Sequence, residues 1–278
     1  MLLRKAVVWC ARLVTGWLSP ADDDPLPSKF DNIQKFIIHL LLANLGEVVL
    51  LVIGLAFRDA DDLSVFPIAP LQVLLINTIT GFPAFALGLE KAQPNVMRRR
   101  PSRAMFTWEV ITDLCLYGFM SGSLSLATFV IVVYGTGSGN LGRNCNASYS
   151  PECETVFKAR AACYVQIMWL LCFVAWELKS LRRSLFLLNP NSNFARDMWQ
   201  NKMLFFIVIA SALSVFPVVM IDGLNTKVFK QQRISWEWSL PVAGLVIFIV
   251  FIELWKLTKR KLHLFEEPAV HEHTQYIP

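Results

Sequence analysis

The chain has 278 residues, of which 55% are hydrophobic and 17% are charged. Soluble globular domains carry charged side chains at roughly a quarter of their positions, so this composition argues against a soluble enzyme and indicates a membrane protein. The net charge of +5 does not indicate a nucleic-acid partner, because the basic residues lie between apolar segments, as membrane topology requires. We therefore expect the lipid bilayer as a partner and no nucleic acid.

Six apolar segments are long enough to be membrane helices. A run of about 20 apolar residues crosses the hydrocarbon core as a helix. The predicted helices cover about 36–57, 68–89, 108–134, 161–178, 203–221 and 239–257. The predicted fold class is therefore an all-α integral membrane protein, with a six-helix membrane domain at residues 30–261.

The two ends of the chain differ from this membrane domain. Residues 1–29 begin with an apolar stretch that is interrupted by Arg4, Lys5 and Arg12, and continue into an acidic linker. The stretch resembles a weak signal peptide or an amphipathic surface helix, and the absence of a clear small-residue cleavage site favours the surface helix or an artefact of start-site choice. Residues 262–278 are predicted to form a polar, disordered tail.

The distribution of basic residues predicts the orientation in the membrane. Lysine and arginine are concentrated in loops 90–107 and 179–202 and in the segment that follows residue 255. If the six helices alternate in direction, these three segments lie on the same side as the N-terminus. Because basic residues accumulate in cytoplasmic loops, we expect a multi-pass protein of the plasma membrane with both termini in the cytoplasm.

The connection 135–157 would then lie on the outer side, and its chemistry differs from that of the basic loops. It contains Cys145 and Cys153, and an oxidising exterior would permit a disulfide between them. It also contains Asn146 in the glycosylation acceptor pattern Asn-Ala-Ser. Such a pattern occurs often by chance, and proximity to the bilayer would prevent its use.

The first membrane segment carries two polar residues near its middle. Asn44 and Glu47 are three positions apart, so they share one face of the helix. A charge at the centre of a membrane helix costs about 2.5–3.5 kcal/mol, and such residues normally face the bundle interior and mark an ion or proton path. The alternative is a protonated glutamate that hydrogen-bonds to a neighbouring helix and stabilises the bundle.

The second membrane segment repeats this pattern. Asn77 and Thr80 are again three apart, and Gly81 and Pro83 follow, so we expect the helix to kink or unwind there. Free backbone carbonyls at such breaks form cation sites in transporters. Together with the first segment, these residues offer a carboxylate, two amides and a hydroxyl, whose oxygens suit hard cations. The alternative is that the polar residues pack the helices together.

The stretches "FDNIQKFIIHLLLANLGEVVLL" (30–51) and "PLQVLLINTITGFPAFALGLEKAQPNVMRRRP" (70–101) resemble the fifth and sixth membrane helices of P-type cation ATPases. Three downstream stretches, "AWELKSLRRSLF" (175–186), "FPVVMIDGLNTKVF" (216–229) and "ELWKLTKR" (253–260), are similar to the fungal sodium/potassium-exporting branch of this family. The resemblance covers about residues 30–261. It implies that the six helices correspond to helices five to ten of a ten-helix pump.

The resemblance also implies which residues bind the cation. Asn44, Glu47, Asn77 and Thr80 would be ligands for a monovalent cation, Na+ or K+. Glu177 is a further candidate, although a solvated glutamate at the cytoplasmic end of its helix is the alternative. The segment that follows Thr80 is one residue shorter than in the family pattern, which removes a ligand or shifts the register.

The motifs that power such a pump are absent from this sequence. It contains neither the phosphorylated Asp-Lys-Thr-Gly-Thr motif nor a loop long enough for a nucleotide-binding domain, so ATP and Mg2+ would be bound by the missing cytoplasmic domains. We expect no catalytic residue and no cofactor in this chain. The first hypothesis is the C-terminal transport region of a cation-exporting pump, which lacks ATPase activity alone and is either inert or acts with a partner chain that supplies the missing N-terminal pump portion. The second is a free-standing six-helix membrane protein that binds cations or regulates an intact pump.

Overall fold

The structure is a computed structural model, and it describes residues 26–89, 106–181, 183–185, 198–199 and 201–265. These residues are helical apart from turns, connections and an isolated antiparallel bridge between Arg58 and Ser64. The predicted all-α membrane fold is therefore confirmed. Most of the predicted N-terminal segment 1–29 and of the tail 262–278 lies outside the described residues.

The helices follow one another along the chain with short connections. They are α1 (Leu26–Gly54), α2 (Pro70–Gly88), α3 (Trp108–Val130), α4 (Glu154–Glu177), α5 (Lys202–Leu213), α6 (Val215–Met220) and α7 (Ser239–Lys261). Helix α3 continues as a π-helical turn at Ile131–Thr136.

Among the described residues, six helical segments are long and apolar enough to cross a membrane. They are Phe30–Gly54, Pro70–Gly88, Trp108–Thr136, Pro151–Glu177, Lys202–Met220 and Trp236–Lys261. The fourth segment starts well before the expected position 161, because polar residues such as Lys158 and Arg160 lie on its first turns. The fifth combines α5 and α6, which meet at Ser214, where Pro217 removes the donor to the Leu213 carbonyl.

Helix α4 is the centre of the bundle. The span that contains it is 89% buried, whereas the other five spans are 28–50% buried. A helix that is apolar on all sides is expected in the interior, and helices with one apolar contact face are expected at the periphery. Helices α1, α3 and α7 pack around α4 and present their remaining faces outward.

Helices α1 and α3 approach each other closely through glycines. A methyl group added at Gly46 would lie 2.6 Å from the Ser121 hydroxyl, and one added at Gly122 would lie 2.6 Å from the Gly46 carbonyl. Small residues allow helix backbones to pack at short distance in membranes. Because Gly46 directly precedes Glu47, this crossing fixes the position of the Glu47 side chain.

The two ends of the bundle have different chemistry. The basic end carries the starts of α1, α3 and α5 and the ends of α2, α4 and α7, and there the rings of Phe36 and Phe85 lie with centroids 5.3 Å apart. The loop end carries the connections 55–69 and 137–153, together with the turns that precede α7. The helices therefore alternate in direction, as the expected topology requires.

Candidate functional site

The centre of the candidate site is a contact between α1 and α2. The Asn77 side-chain amide donates to Glu47 Oε2 at 2.7 Å and to the Val73 carbonyl at 3.1 Å. Glu47 is 4% exposed, and its second oxygen, Oε1, has no hydrogen-bond partner within the described part of the chain. The structure therefore brings together two of the four predicted ligands and leaves one buried carboxylate oxygen able to accept a further bond.

The other two predicted ligands are engaged with their own helices. The Thr80 hydroxyl is buried and donates to the Ile76 carbonyl at 2.8 Å. The Asn44 amide donates to the Leu40 carbonyl at 2.9 Å, and its side chain is exposed. The oxygen atoms of both side chains still have lone pairs, because donating a hydrogen bond leaves the acceptor positions unused. Neither residue hydrogen-bonds to Glu47 or Asn77 in this structure.

The expected unwinding at Gly81 and Pro83 does not occur. Helix α2 is continuous from Pro70 to Gly88 with Pro83 inside it. A proline removes a single donor, here to the Ile79 carbonyl, and the remaining hydrogen bonds are sufficient to maintain the helix. The carbonyl of Ile79, on the same helix as Asn77, therefore lacks its usual backbone donor.

Asn44 lies in an exposed apolar stripe of α1. Its neighbours on this stripe are Leu41, Val48 and Val52, each of which is at least 40% exposed. A polar amide on a lipid-facing stripe is unfavourable, since lipid offers it no hydrogen-bond partner. The described residues therefore leave one side of the candidate site open, and that side carries a predicted ligand.

Glu177 belongs to a different cluster. It is 1% exposed, and its Oε2 atom forms a salt bridge with the ammonium group of Lys256 on α7. The solvated interfacial glutamate that served as the alternative is therefore wrong, because the end of α4 is covered by α7. No hydrogen bond among the described residues joins Glu177 to Glu47 or Asn77.

The loop end contains the other predicted site residues. Cys145 and Cys153 form a disulfide with Cα atoms 5.5 Å apart. The amide of Asn146 donates to the Ser64 carbonyl at 2.6 Å, and its carbonyl oxygen accepts from Arg160. The nitrogen that a glycan would modify is thus part of a contact between the two loops at this end.

The candidate site carries one acidic side chain among the described residues. Within the described residues, no three His, Cys, Asp or Glu side chains lie close enough to hold a metal ion together. Glu47 contributes one negative charge, and Asn77 contributes a neutral amide. Hard divalent cations such as Ca2+ are usually bound by six to eight oxygens with several carboxylates.

Sequence reasoning missed two features that position these side chains. The crossing of α1 and α3 depends on Gly118, Ser121 and Gly122, and their spacing in "YGFMSGS" is the small-residue pattern of close membrane helices. Lys256 belongs to the basic segment after residue 255, which the topology predicts to be cytoplasmic. Its position four residues before Arg260 offers no signal that it points into the bundle.

Comparison with known proteins identifies relatives of the whole membrane domain. The family model described as "Cation transporting ATPase, C-terminus" matches residues 65–258. The chain is 42% identical over 244 residues to the sodium/potassium exporting P-type ATPase cta3 of Schizosaccharomyces pombe, a match that covers 84% of the chain and 24% of that protein. It is 41% identical over 240 residues to the sodium/potassium exporting P-type ATPase 5 of Saccharomyces cerevisiae, with coverage of 83% and 22%.

A more distant relative is the calcium-transporting ATPase of Bacillus subtilis, which is 26% identical over 240 residues, covering 84% of the chain and 23% of that protein. The chain thus spans about a quarter of the length of the curated relatives it matches. The resemblance predicted from the sequence is confirmed. The chain belongs to the cation-transporting P-type ATPase family and contains its C-terminal membrane region.

Proposed function

We propose that this chain forms the C-terminal half of the membrane domain of a sodium- or potassium-exporting pump, and that Glu47 is the acidic ligand of its cation site. The observation that carries the proposal is the buried contact between Glu47 and Asn77, with Glu47 Oε1 lacking a partner among the described residues. A buried carboxylate without a compensating group is unfavourable. A bound alkali cation would compensate it and would accept Asn77 as a neutral oxygen ligand after the amide rotates.

The choice of Na+ or K+ is supported by two observations. The fungal relatives at 41–42% identity are named as sodium/potassium exporters, whereas the calcium-transporting relative is 26% identical. Among the described residues, the site also contains one carboxylate, which would balance the charge of one monovalent ion. Asn44 and Thr80 would complete the ligand set through oxygen atoms that accept no hydrogen bond from each other or from Glu47 in this structure.

A partner for the open side of the site is part of this proposal. Asn44 lies on an exposed apolar stripe of α1, and a further membrane segment packed there would provide the partner that lipid cannot. The missing N-terminal pump portion fits this role, and it would also supply the ATP and Mg2+ sites. This exposed amide favours the pump over a free-standing six-helix protein.

The proposed function also implies how the bundle is oriented in the membrane. The basic end of the bundle would face the cytoplasm, because it carries the loops rich in lysine and arginine. The loop end, which contains the disulfide, would face the oxidising exterior across the plasma membrane.

The test is the effect of Na+ and K+ on the thermal stability of the purified chain in lipid nanodiscs. A ligand that binds the folded state raises the melting temperature, so replacing choline chloride with NaCl or KCl should raise it for the parent chain. Glu47→Gln should abolish this increase. The matched control is Glu152→Gln, which makes the same change at an exposed position of the loop end. An increase that survives Glu47→Gln would refute the assignment.

A further inference from the structure

Two lysines of α7 point into the bundle rather than into solvent. Lys256 and Lys259 are 1% and 2% exposed. They are three positions apart and therefore share a helix face. Lysine is almost never fully buried unless it is paired, so the partners of these ammonium groups explain why α7 tolerates them.

Lys259 has several partners at the basic end. Its ammonium group lies 2.6 Å from Asp113 Oδ2 on α3, 2.7 Å from the Leu181 carbonyl and 3.5 Å from a carboxylate oxygen of Glu109. The second oxygen of Asp113 accepts from the indole of Trp255 at 2.7 Å. Both oxygens of Asp113 are thus bound by α7, which fixes the rotation of that helix and directs Lys256 toward α4.

Among the described residues, Lys256 has one carboxylate partner. Its ammonium group contacts Glu177 Oε2 and also donates to the Glu177 backbone carbonyl at 3.1 Å. Both side chains are at most 1% exposed. The ammonium group thus bridges a carboxylate oxygen and a main-chain carbonyl at the end of α4, the two oxygen types that a bound alkali cation would contact.

We propose that Lys256 is a resident cation for Glu177, which keeps this buried carboxylate neutralised without any ion from solution. Because the ammonium group is tethered to the same chain, its effective concentration at Glu177 exceeds that of a free ion. Glu177 is therefore withheld from cation exchange. The inference rests on the proposed function in one respect, since that proposal makes Glu47 the buried acid that exchanges its cation.

The first test is charge rescue in the 278-residue chain in nanodiscs with choline chloride as the salt. Lys256→Met removes the charge and keeps the side chain long, which leaves Glu177 buried and unpaired, so the melting temperature should fall by roughly 5–15 °C. The double variant Glu177→Gln with Lys256→Met removes both charges and should melt well above the single variant. If the single variant does not fold, folding of the double variant is the expected result. A double variant no more stable than the single one would overturn the pairing.

The second test asks whether a free ion can replace the ammonium group. Replacing choline with Na+ or K+ should raise the melting temperature of Lys256→Met by several degrees more than that of the double variant, because only the single variant presents a free carboxylate. An equal response of the two variants would overturn the resident-cation assignment. Both variants are measured in a Glu47→Gln background, so the result can be read even if Glu47 binds no cation.

Discussion

The two buried glutamates of this membrane domain differ in what neutralises them. Glu47, on α1, contacts a neutral amide on α2 and has one oxygen without a partner in the described residues. Glu177, on α4, contacts an ammonium group on α7, and that helix covers it, although its Oε1 atom likewise has no hydrogen-bond partner in the described residues. The family resemblance makes Glu47 a ligand and Glu177 a weaker candidate, and in the structure the ammonium group of Lys256 lies against Glu177.

The surroundings of the two glutamates differ in the same way. The α1–α2 region carries an exposed stripe that includes Asn44. The Asn44 amide donates one hydrogen bond within its own helix, and the rest of its side chain is open to the surroundings. In the α3–α4–α7 region both oxygens of Asp113 and one of Glu177 are bound by α7. Ion pairs thus join α7 to α3 and α4, whereas Glu47 has no cationic partner among the described residues.

The largest expected effect comes from breaking the buried ion pair between α7 and α3. Lys259→Met leaves Asp113 with Trp255 as its remaining side-chain partner, and removing one member of a buried ion pair costs about 3–5 kcal/mol. The free energy of unfolding in mixed detergent–SDS micelles measures this loss. The control is Lys261→Met on the same helix, where the side chain is exposed and the change should be close to zero. Equal losses in both variants would contradict a stabilising ion pair between Lys259 and Asp113.

The next effect concerns the α1–α3 crossing that positions Glu47. Gly122→Ala places a methyl group 2.6 Å from the Gly46 carbonyl, and overpacking of this kind costs about 1–3 kcal/mol. The resulting displacement of α1 should lower the free energy of unfolding, and it should also reduce the increase in stability that Na+ causes. Gly81→Ala is the matched control, because nothing lies within 4 Å of the added methyl group, and it should stabilise α2 by about 0.5–1 kcal/mol. A Gly122 variant as stable as the Gly81 variant would contradict the close crossing.

The third effect concerns the hydrogen bonds that join the two regions at the loop end. Asn146→Ala removes a bond to the Ser64 carbonyl and leaves the buried Arg160 without one of its acceptors, which should cost about 1–3 kcal/mol. Ser148→Ala destroys the glycosylation pattern and leaves this amide in place. It should therefore have almost no effect on the free energy of unfolding, and a loss equal to that of the Asn146 variant would contradict the structural role.

The smallest effect is a dependence of stability on pH at the same end. Burial alone would raise the pKa of Asp59, but backbone N–H donors from Leu63, Asn144 and Asp61 outweigh it and hold this pKa below its usual value. A carboxyl group with a depressed pKa in the folded state stabilises the fold above its unfolded pKa of about 3.9. This contribution is lost as the pH falls further, through the folded pKa.

The stability of Asp59→Asn should therefore fall less than that of the parent chain in this acidic range. Asp62→Asn is the control, since Asp62 is exposed and its carboxylate lies 3.8 Å from the exposed guanidinium group of Arg58. The melting temperatures of the parent chain and of both variants are measured between pH 3 and pH 6 and compared. Identical pH profiles for the parent chain and the Asp59 variant would remove the assigned role of the three backbone donors.

Much of the fold follows from the sequence, because hydropathy alone marks the spans. Apolar windows predict six membrane helices and the structure has six candidate spans, but polar residues on the first turns of α4 hide its true start. The contact between Glu47 and Asn77 follows from spacing and family resemblance. The continuity of α2 through Pro83 could not be predicted, because a proline is compatible with both a kinked and a broken helix.

The difference between the two glutamates could be recognised only in the three-dimensional structure. Lys256 is 79 residues from Glu177 along the chain, and nothing local distinguishes it from the basic residues that follow. Only the packing of α7 against α4 brings them together. The close crossing at Gly46, in contrast, has a sequence signal in the small residues of α3, and attention to that pattern would have predicted it.

The most direct test of the central claim is equilibrium binding of radioactive Na+ to the purified chain, compared between Glu47→Gln and the double variant Glu177→Gln with Lys256→Met. Glu47→Gln should abolish specific binding, whereas the double variant should retain it at the affinity of the parent chain. Binding that is lost in the double variant and retained in the Glu47 variant would contradict the account, because the exchangeable cation would then belong to Glu177.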